Sequence, residues 1–223
     1  PCAFMDNFHR GRVLSSIDQN GRYAYGNQPA IGHWNLAMLA QALLPILAEE
    51  EDAAVALAQA AVDKFPAQFT ESYTIGMLRK LGIVNRAAED ESLVADYLEL
   101  LETEGADFTL SFRRLAELSH SEYEGDSIQP LFDFPESFDE WLNRWQERCA
   151  KEALSSTQQQ EMMLATNPVF IPRNHLVQAA ITAAQENNDL SVFERLTEVL
   201  DAPYTYITEL EEYATPPRQE QVV

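Results

Sequence analysis

Helical spacing of hydrophobic positions dominates this chain from about residue 30 onward. Apolar residues recur every three or four positions, as in Phe138, Trp141 and Trp145, which is the period of an amphipathic α-helix. No comparable stretch alternates with a period of two, so strands are few or absent and the fold class is mainly α. The predicted helices cover residues 29–48, 51–65, 68–81, 91–104, 107–119, 137–151, 156–165, 174–187 and 190–200.

Local signals indicate how these helices begin and end. We predict N-caps at Asp107, Ser137 and Asn174, because short polar side chains satisfy the free amides of a first turn. Gly82 is typical of a residue that ends a helix. The helix over residues 29–48 is apolar on more than one side, which predicts a buried, central position for it.

Residues 1–29 are different, because they are rich in Gly, Asp, Asn and Pro. We predict a long ordered loop with one short strand or helical turn, and loops of this length usually carry function. Residues 15–29 combine Asp18, Arg22, Asn27 and two tyrosines. Two interpretations explain this composition: these residues fix turns of the backbone, or they form a functional site or a switch. We single out Asp18, Arg22 and Asn27 as candidates to face a cleft or to order the segment.

A second unusual stretch covers residues 167–175. Two prolines bracket the apolar trio Val169-Phe170-Ile171, and Arg173 and Asn174 follow at a predicted helix start. Helix capping with a buried arginine is one interpretation, and a site role is the other. We expect Arg173 and Asn174 to tie the distal helices to the loop of residues 1–29.

The charge is uneven and excludes some classes of partner. The 223 residues contain 36 Asp and Glu against 15 Lys and Arg, for a formal net charge of −21. Residues 1–48 carry +1 and residues 49–223 carry −22. Such an acidic chain repels phosphate backbones and anionic membranes, so we expect no nucleic acid and no membrane as partner. The longest apolar run, residues 37–48, is interrupted by Gln41 and Pro45, which argues against a membrane span.

Common catalytic and metal-binding motifs are missing from the sequence. The four histidines lack metal-site spacing, and neither a P-loop, GxGxxG nor GxSxG occurs. We therefore assign no catalytic, cofactor-binding or metal-binding residue from pattern alone. Cys2 and Cys149 cannot form a disulfide framework, and no signal peptide precedes them, so we expect a cytoplasmic location.

Several long and compositionally unusual motifs together resemble the selenoprotein O family of kinase-fold protein adenylyltransferases. The resemblance covers nearly the whole chain and corresponds to the C-terminal half of the family. The motifs are PCAFMD at residues 1–6, SSID at 15–18, GRYAYGNQP at 21–29, WNLAMLAQALLP at 34–45, DFTLSFRRL at 107–115, WLNRW at 141–145 and NPVFIPRNHLV at 167–177, with PY at 203–204 and PP at 216–217.

This resemblance implies the helical C-terminal lobe of a protein-kinase-like (pseudokinase) fold. Family members transfer AMP from ATP to hydroxyl side chains of proteins, with Mg or Mn. The family's nucleotide-binding and catalytic residues lie in the half before this chain, and its Asp-Tyr-Gly motif would end just before Pro1. We therefore expect an inactive fragment that starts in mid-domain and binds no ATP or metal alone. The family's C-terminal redox Cys or selenocysteine is absent from these 223 residues, and neither Cys2 nor Cys149 replaces it.

The resemblance and the charge lead to two hypotheses. In the first, residues 1–29 are an activation-type segment, 30–213 a helical lobe and 214–223 a Pro-containing tail of an adenylyltransferase. Its partners are then protein substrates and the N-terminal half of the same domain. In the second, the chain is a freestanding acidic all-helical module that binds basic proteins.

Overall fold

A computed structural model describes residues 3–119 and 135–221. Within these residues the chain is helical and contains no strand; a single isolated bridge pairs Asn7 with Asp107. The sequence predicts an acidic loop over residues 120–135, and all of it except Pro135 lies outside the described residues. The helices are α1 Gln28–Leu47, α2 Glu51–Val62, α3 Phe65–Lys80, α4 Asp90–Thr103, α5 Phe108–Leu118, α6 Pro135–Cys149, α7 Ser156–Thr166, α8 Asn174–Asn187, α9 Ser191–Leu200 and α10 Glu211–Ala214, with short 3-10 turns at Tyr25–Asn27, Thr208–Leu210 and Gln219–Gln221.

The predicted helices are confirmed, and most helix ends fall within a few residues of the prediction. The Asp107 side chain accepts a hydrogen bond from the Leu110 amide and caps α5, as predicted. Gly82 follows α3 with a φ of +78°, the left-handed conformation that ends helices. Two predicted caps are wrong. Ser137 lies inside α6, because Pro135 already starts that helix, and Asn174 is the first residue of α8 rather than its cap.

The chain forms two compact units, and their boundary falls within α3. One unit, Arg10–Gly76, contains a polar loop (residues 10–27), α1, α2 and most of α3. In this unit α1 and α2 pack as a helical hairpin. A row of aromatic rings runs from His33 to Phe65, Phe69 and Tyr73, with neighbouring centroids 5.7–5.9 Å apart.

The prediction that α1 is a buried central helix is wrong for the structure as it stands. None of its residues is buried, and Trp34, Leu39 and Ile46 are 47%, 54% and 78% exposed. The apolar residues of α1 surround the whole helix, so α2 alone covers only part of them. By length and composition alone, residues Tyr25–Leu47 could also cross a membrane, although core helices of soluble proteins and signal sequences meet the same test.

The second unit, Pro1–His9 with Met77–Val223, has an aromatic core where α4, α5 and α6 meet. Tyr97 of α4 stacks on Trp141 at 4.2 Å and meets Phe112 of α5 edge-on at 5.1 Å. The two α6 indoles each donate a hydrogen bond: Trp141 to the Leu93 carbonyl and Trp145 to the Leu81 carbonyl. Both indoles are buried, so this pair belongs to the core.

The distal part of this unit is organised around the apolar trio between the two prolines. Val169 and Phe170 are buried with Val199, Leu210 and Ala214. The amides of Val169 and Phe170 both donate to the Pro203 carbonyl, at 2.8 and 3.1 Å. This short segment therefore holds α9 and α10 against the start of α8.

Candidate functional site

The polar loop of the Arg10–Gly76 unit is ordered by side chains that bind backbone groups. The Asp18 carboxylate accepts hydrogen bonds from the amides of Arg22 and Tyr23, at 2.9 and 2.8 Å. The Asn27 side chain donates to the Gly21 carbonyl at 2.8 Å, and Gly21 has a φ of +65°. The structure thus brings Asp18, Arg22 and Asn27 into one turn, in which Asp18 and Asn27 fix the backbone.

Arg22 carries the unpaired charge of this turn. Its guanidinium lies 4.5 Å from the centroid of the Trp34 ring and 5.7 Å from that of Tyr23. No carboxylate in the described residues forms an ion pair with Arg22, because the nearby Asp18 binds backbone amides instead. An exposed guanidinium on an aromatic face is a suitable contact for an anionic group.

Backbone pairing fixes how this turn enters α1. The amide of Tyr25 donates to the Arg12 carbonyl at 3.0 Å, and that of Gly26 donates to the Arg10 carbonyl at 2.8 Å. A Cβ on Gly26 would lie 3.1 Å from the Arg10 oxygen, so a glycine suits this close approach. Burial, together with Tyr73, raises the pKa of Tyr25 and keeps its phenol neutral.

Arg173 forms a buried ion cluster in the other unit. Its side chain is 0% exposed and pairs with Asp6 and, at 2.7 Å, with Asp107; its Nε donates to the Ala214 carbonyl at 3.1 Å. Burial disfavours the charge, but the two carboxylates outweigh it and raise the pKa of Arg173. One side chain therefore joins the N-terminal segment, the start of α5 and the end of α10.

Asn174 adds a second connection to the same N-terminal segment. Its side-chain amide donates to the Phe4 carbonyl at 3.1 Å and accepts from the Phe4 amide at 3.3 Å. Arg173 and Asn174 thus contact residues 4 and 6 of the predicted loop. Asp18, Arg22 and Asn27 belong to the Arg10–Gly76 unit.

The residues that the structure describes do not fit a metal site. In the described ranges no three His, Cys, Asp or Glu side chains are grouped to hold an ion. Asp6 and Asp107 are a neighbouring carboxylate pair, but Arg173 neutralises them.

Sequence reasoning missed two clusters in the second unit. Arg148 is buried and pairs with Asp90 at 2.6 Å and with Glu152 at 2.9 Å. Lys80 donates to the Asn167 side chain at 3.1 Å and lies over two phenylalanine rings. The sequence does not indicate that either cluster forms, because the Arg148–Asp90 and Lys80–Asn167 contacts join residues that are 58 and 87 positions apart.

Cys149 does not have the properties of a redox thiol. It is partly buried and forms no disulfide. Burial raises the pKa of its thiol to about 12, so the reactive thiolate is scarce at neutral pH.

Comparison with known proteins identifies the family. The family model for protein adenylyltransferase SelO matches residues 1–201, so the chain belongs to this family. It is 46% identical over 219 residues to the protein nucleotidyltransferase YdiU of Bacillus thuringiensis (strain Al Hakam) and 48% identical over 217 residues to that of Geobacillus kaustophilus (strain HTA426). The YdiU of Rhodopseudomonas palustris (strain BisB18) is 45% identical over 223 residues. The alignments cover 97–100% of this chain but only 43–45% of these relatives.

Proposed function

We propose that this chain is the helical C-terminal lobe of a kinase-like, ATP-dependent protein adenylyltransferase. The intact protein would transfer AMP from ATP to Ser, Thr or Tyr hydroxyls of protein substrates, with Mg or Mn as the metal. The observation that carries this proposal is the family match over residues 1–201, together with about 45% identity to nucleotidyltransferases along the whole chain. A cytoplasmic location stays a prediction from the sequence.

We also propose that the nucleotide and the metal are held by the part of the relatives that this chain does not span. The described residues contain no metal-ligand cluster, and the carboxylates of Asp6 and Asp107 are bound to Arg173. In adenylyl transfer, metal and basic groups neutralise the phosphates, and such a site needs free carboxylates. We therefore expect the chain alone to be inactive.

The exposed surface of α1 supports a role as the contact with that missing part. Trp34, Leu39 and Ile46 are 47–78% exposed on a helix without charged residues. A helix that exposes large apolar side chains in this way is a suitable interaction surface. The chain spans less than half of its relatives, which leaves more than enough polypeptide to cover the helix.

The test is reconstitution from two pieces. The chain is mixed with the separately produced N-terminal half, and AMP transfer from labelled ATP to a protein acceptor is measured against the full-length enzyme. We expect activity only from the mixture or the full-length protein. Leu39→Lys should prevent reconstitution, whereas Phe193→Lys on α9, at a position of similar exposure (57% against 54%), should not. Activity of the chain alone, or equal effects of both variants, would contradict the proposal.

For the polar loop we propose an ordering role in the same reaction. Arg22 is placed by the Asp18 turn and stacks on Trp34, so it can hold the segment or meet an anionic group. In the full-length enzyme, Arg22→Ala should clearly lower the rate of AMP transfer while the melting temperature changes little. Unchanged transfer with a lower melting temperature would show that Arg22 is only structural.

The high negative charge favours a second candidate function, an acidic module that binds basic proteins. The net charge of −21 is the observation in its favour. Reading the coding sequence upstream of Pro1 separates the two functions. An upstream frame that contains Asp-Tyr-Gly supports the enzyme, and a start codon directly before Pro1 supports the module.

A further inference from the structure

The polar loop of residues 10–27 is basic, although the chain as a whole is strongly acidic. It contains Arg10, Arg12 and Arg22 against Asp18 alone, a net charge of +2, whereas the remaining residues of the chain sum to −23. All three arginines are exposed. The Asp18 carboxylate accepts hydrogen bonds from two backbone amides of the loop and pairs with none of these guanidinium groups.

The backbone of the loop holds Arg12 and Arg22 on neighbouring segments. The Tyr25 amide donates to the Arg12 carbonyl at 3.0 Å. The Val13 side chain lies 3.6 Å from the position that a Cβ on Gly21 would occupy. The two halves of the loop therefore run side by side, and the segment of Arg12 lies next to that of Arg22.

Neither Arg12 nor Arg22 forms an ion pair within the described residues. The Arg22 guanidinium stacks on Trp34, and the rings of Trp34 and Tyr23 are themselves 47% and 39% exposed. Stacking positions a guanidinium without using its N–H donors, so those donors can bind a carboxylate. Arginine and aromatic residues are also the types that are enriched where proteins bind one another.

The acidic cluster of the same unit lies at a distance from this loop. Residues 49–52 follow the far end of α1, whose 20 residues span about 30 Å. Charges at this distance are screened, because the screening length at physiological ionic strength is about 8 Å. The helix α2 packs back along α1 and is followed by Asp63 and Lys64, whose charges are opposite. The acidic cluster therefore does not offset the charge of Arg12 and Arg22.

We propose that the polar loop, through Arg12 and Arg22, is a docking surface for a short acidic segment of a protein. The inference rests on the proposed function, because this segment belongs to a protein substrate and carries Asp or Glu near the hydroxyl that receives AMP. Its carboxylates pair with the two guanidinium groups, and its apolar atoms contact Trp34 and Tyr23. Nucleic acids and anionic membranes carry extended negative charge, which the −23 of the remaining residues repels.

The first test measures binding to the full-length enzyme and does not depend on AMP transfer. A short fluorescein-labelled peptide with Asp and Glu around one serine is compared, by fluorescence anisotropy, with the same peptide carrying Asn and Gln instead. We expect the acidic peptide to bind several-fold more tightly and to lose this advantage between about 50 mM and about 500 mM NaCl. Arg12→Gln should weaken its binding about two- to fivefold, the effect of one exposed ion pair.

Arg79→Gln is the matched control for Arg12→Gln. Arg79 is exposed on α3, belongs to the other unit and forms no ion pair within the described residues. Both variants therefore change the net charge equally, and only Arg12→Gln should weaken binding. The Arg12 side chain forms no hydrogen bond or ion pair in the described part of the chain, so we expect Arg12→Gln to fold like the parent enzyme, which its melting temperature checks.

Three binding results would overturn the proposal: equal affinity for the two peptides, equal effects of the two variants, or Arg12-dependent binding to phosphatidylcholine vesicles that contain phosphatidylserine. AMP transfer to both peptides and to a protein acceptor is then measured. Faster transfer to the acidic peptide, lost in Arg12→Gln, supports the proposal, whereas equal transfer to both peptides overturns it alone. If the full-length enzyme modifies no acceptor at all, the proposed function is wrong, and the substrate role of the loop falls with it even where the acidic peptide binds.

Discussion

The Arg173 cluster lets one side chain hold three distant parts of the chain. Asp6, Asp107 and the Ala214 carbonyl all bind the same buried guanidinium. Removing one member of a buried ion cluster leaves uncompensated charge, which is far more costly than losing an exposed pair. Arg173 therefore stabilises the fold chiefly because its removal would leave the carboxylates of Asp6 and Asp107 without a counter-charge.

We predict that Arg173→Met lowers the free energy of unfolding by about 3–5 kcal/mol. Arg195→Met is the matched control, because Arg195 pairs with Glu198 at positions that are 51% and 65% exposed. Such an exposed pair contributes little to stability. Urea unfolding of both variants against the parent chain measures the difference. Similar losses in the two variants would show that burial of the Arg173 cluster has no energetic consequence.

Lys80 should make stability depend on pH in a defined window. Its folded pKa of about 8 lies below the value of about 10.4 expected in the unfolded chain. Between these values the unfolded state binds more protons, so stability from this group is complete above pH 10.4 and is lost as pH falls toward 8. Lys80→Met removes the titration. We predict that its stability relative to the parent chain is higher at pH 7 than at pH 10, by about 1–2 kcal/mol.

Urea unfolding at the two pH values checks this, with Lys64→Met as the control at an exposed lysine. Other titrating groups are common to variant and parent and cancel in the comparison. The same pH dependence in both variants, or none in either, would show that Lys80 titrates like an exposed lysine.

At the level of helices, two glycines near the end of α3 differ in whether the fold requires a glycine at that position. Gly82 has a φ of +78°, and a Cβ there would lie 2.8 Å from Gln159 Cγ and from Met163 Sδ. Gly76 lies within α3 and is exposed, and a Cβ at this position would have no neighbouring atom within 4 Å. The first glycine is needed to end the helix against α7, whereas the second only weakens it.

We predict that Gly82→Ala destabilises the chain by about 2–4 kcal/mol, from left-handed strain and the contact with α7. Gly76→Ala should instead stabilise it by about 0.5–1 kcal/mol, because alanine is the better helix former. Thermal unfolding of the two variants gives both signs. A loss of stability in Gly76→Ala, or no loss in Gly82→Ala, would contradict this account of the helix end.

The same helices show what could be predicted from the sequence. Local patterns predicted α4 to α9, since spacing and caps such as Asp107 depend on neighbours in the chain. Arg173 could be singled out as a residue that ties the distal helices to the N-terminal loop, but its carboxylate partners, and Asp90 as the partner of Arg148, could not be predicted, because they are 58 to 167 positions away. The predicted position of α1 was wrong for another reason. A helix that is apolar on all sides predicts that other residues bury it, but those residues need not belong to the same segment of polypeptide.

For the whole molecule, the surplus of acidic groups should oppose folding. The formal charge of −21 falls almost entirely on residues 49–223, and the described ion pairs neutralise only a minority of those carboxylates. Repulsion between like charges destabilises a compact state, and salt screens it. The apolar core therefore stabilises the fold, and repulsion between the acidic groups opposes it.

We predict that raising NaCl from about 20 mM to about 500 mM at pH 7 increases the free energy of unfolding, on the order of 1 kcal/mol, as the screening length falls from roughly 20 Å to below 5 Å. The control is the same titration near the isoelectric point of about 4.4, where net repulsion is absent and the increase should vanish. Chemical unfolding with urea, which carries no charge, measures both series. An equal increase at the two pH values would mean that salt acts on apolar hydration rather than on charge. A decrease at pH 7 would mean that local ion pairs such as Arg144–Asp96 outweigh the net repulsion, and that the acidic surface does not oppose the fold.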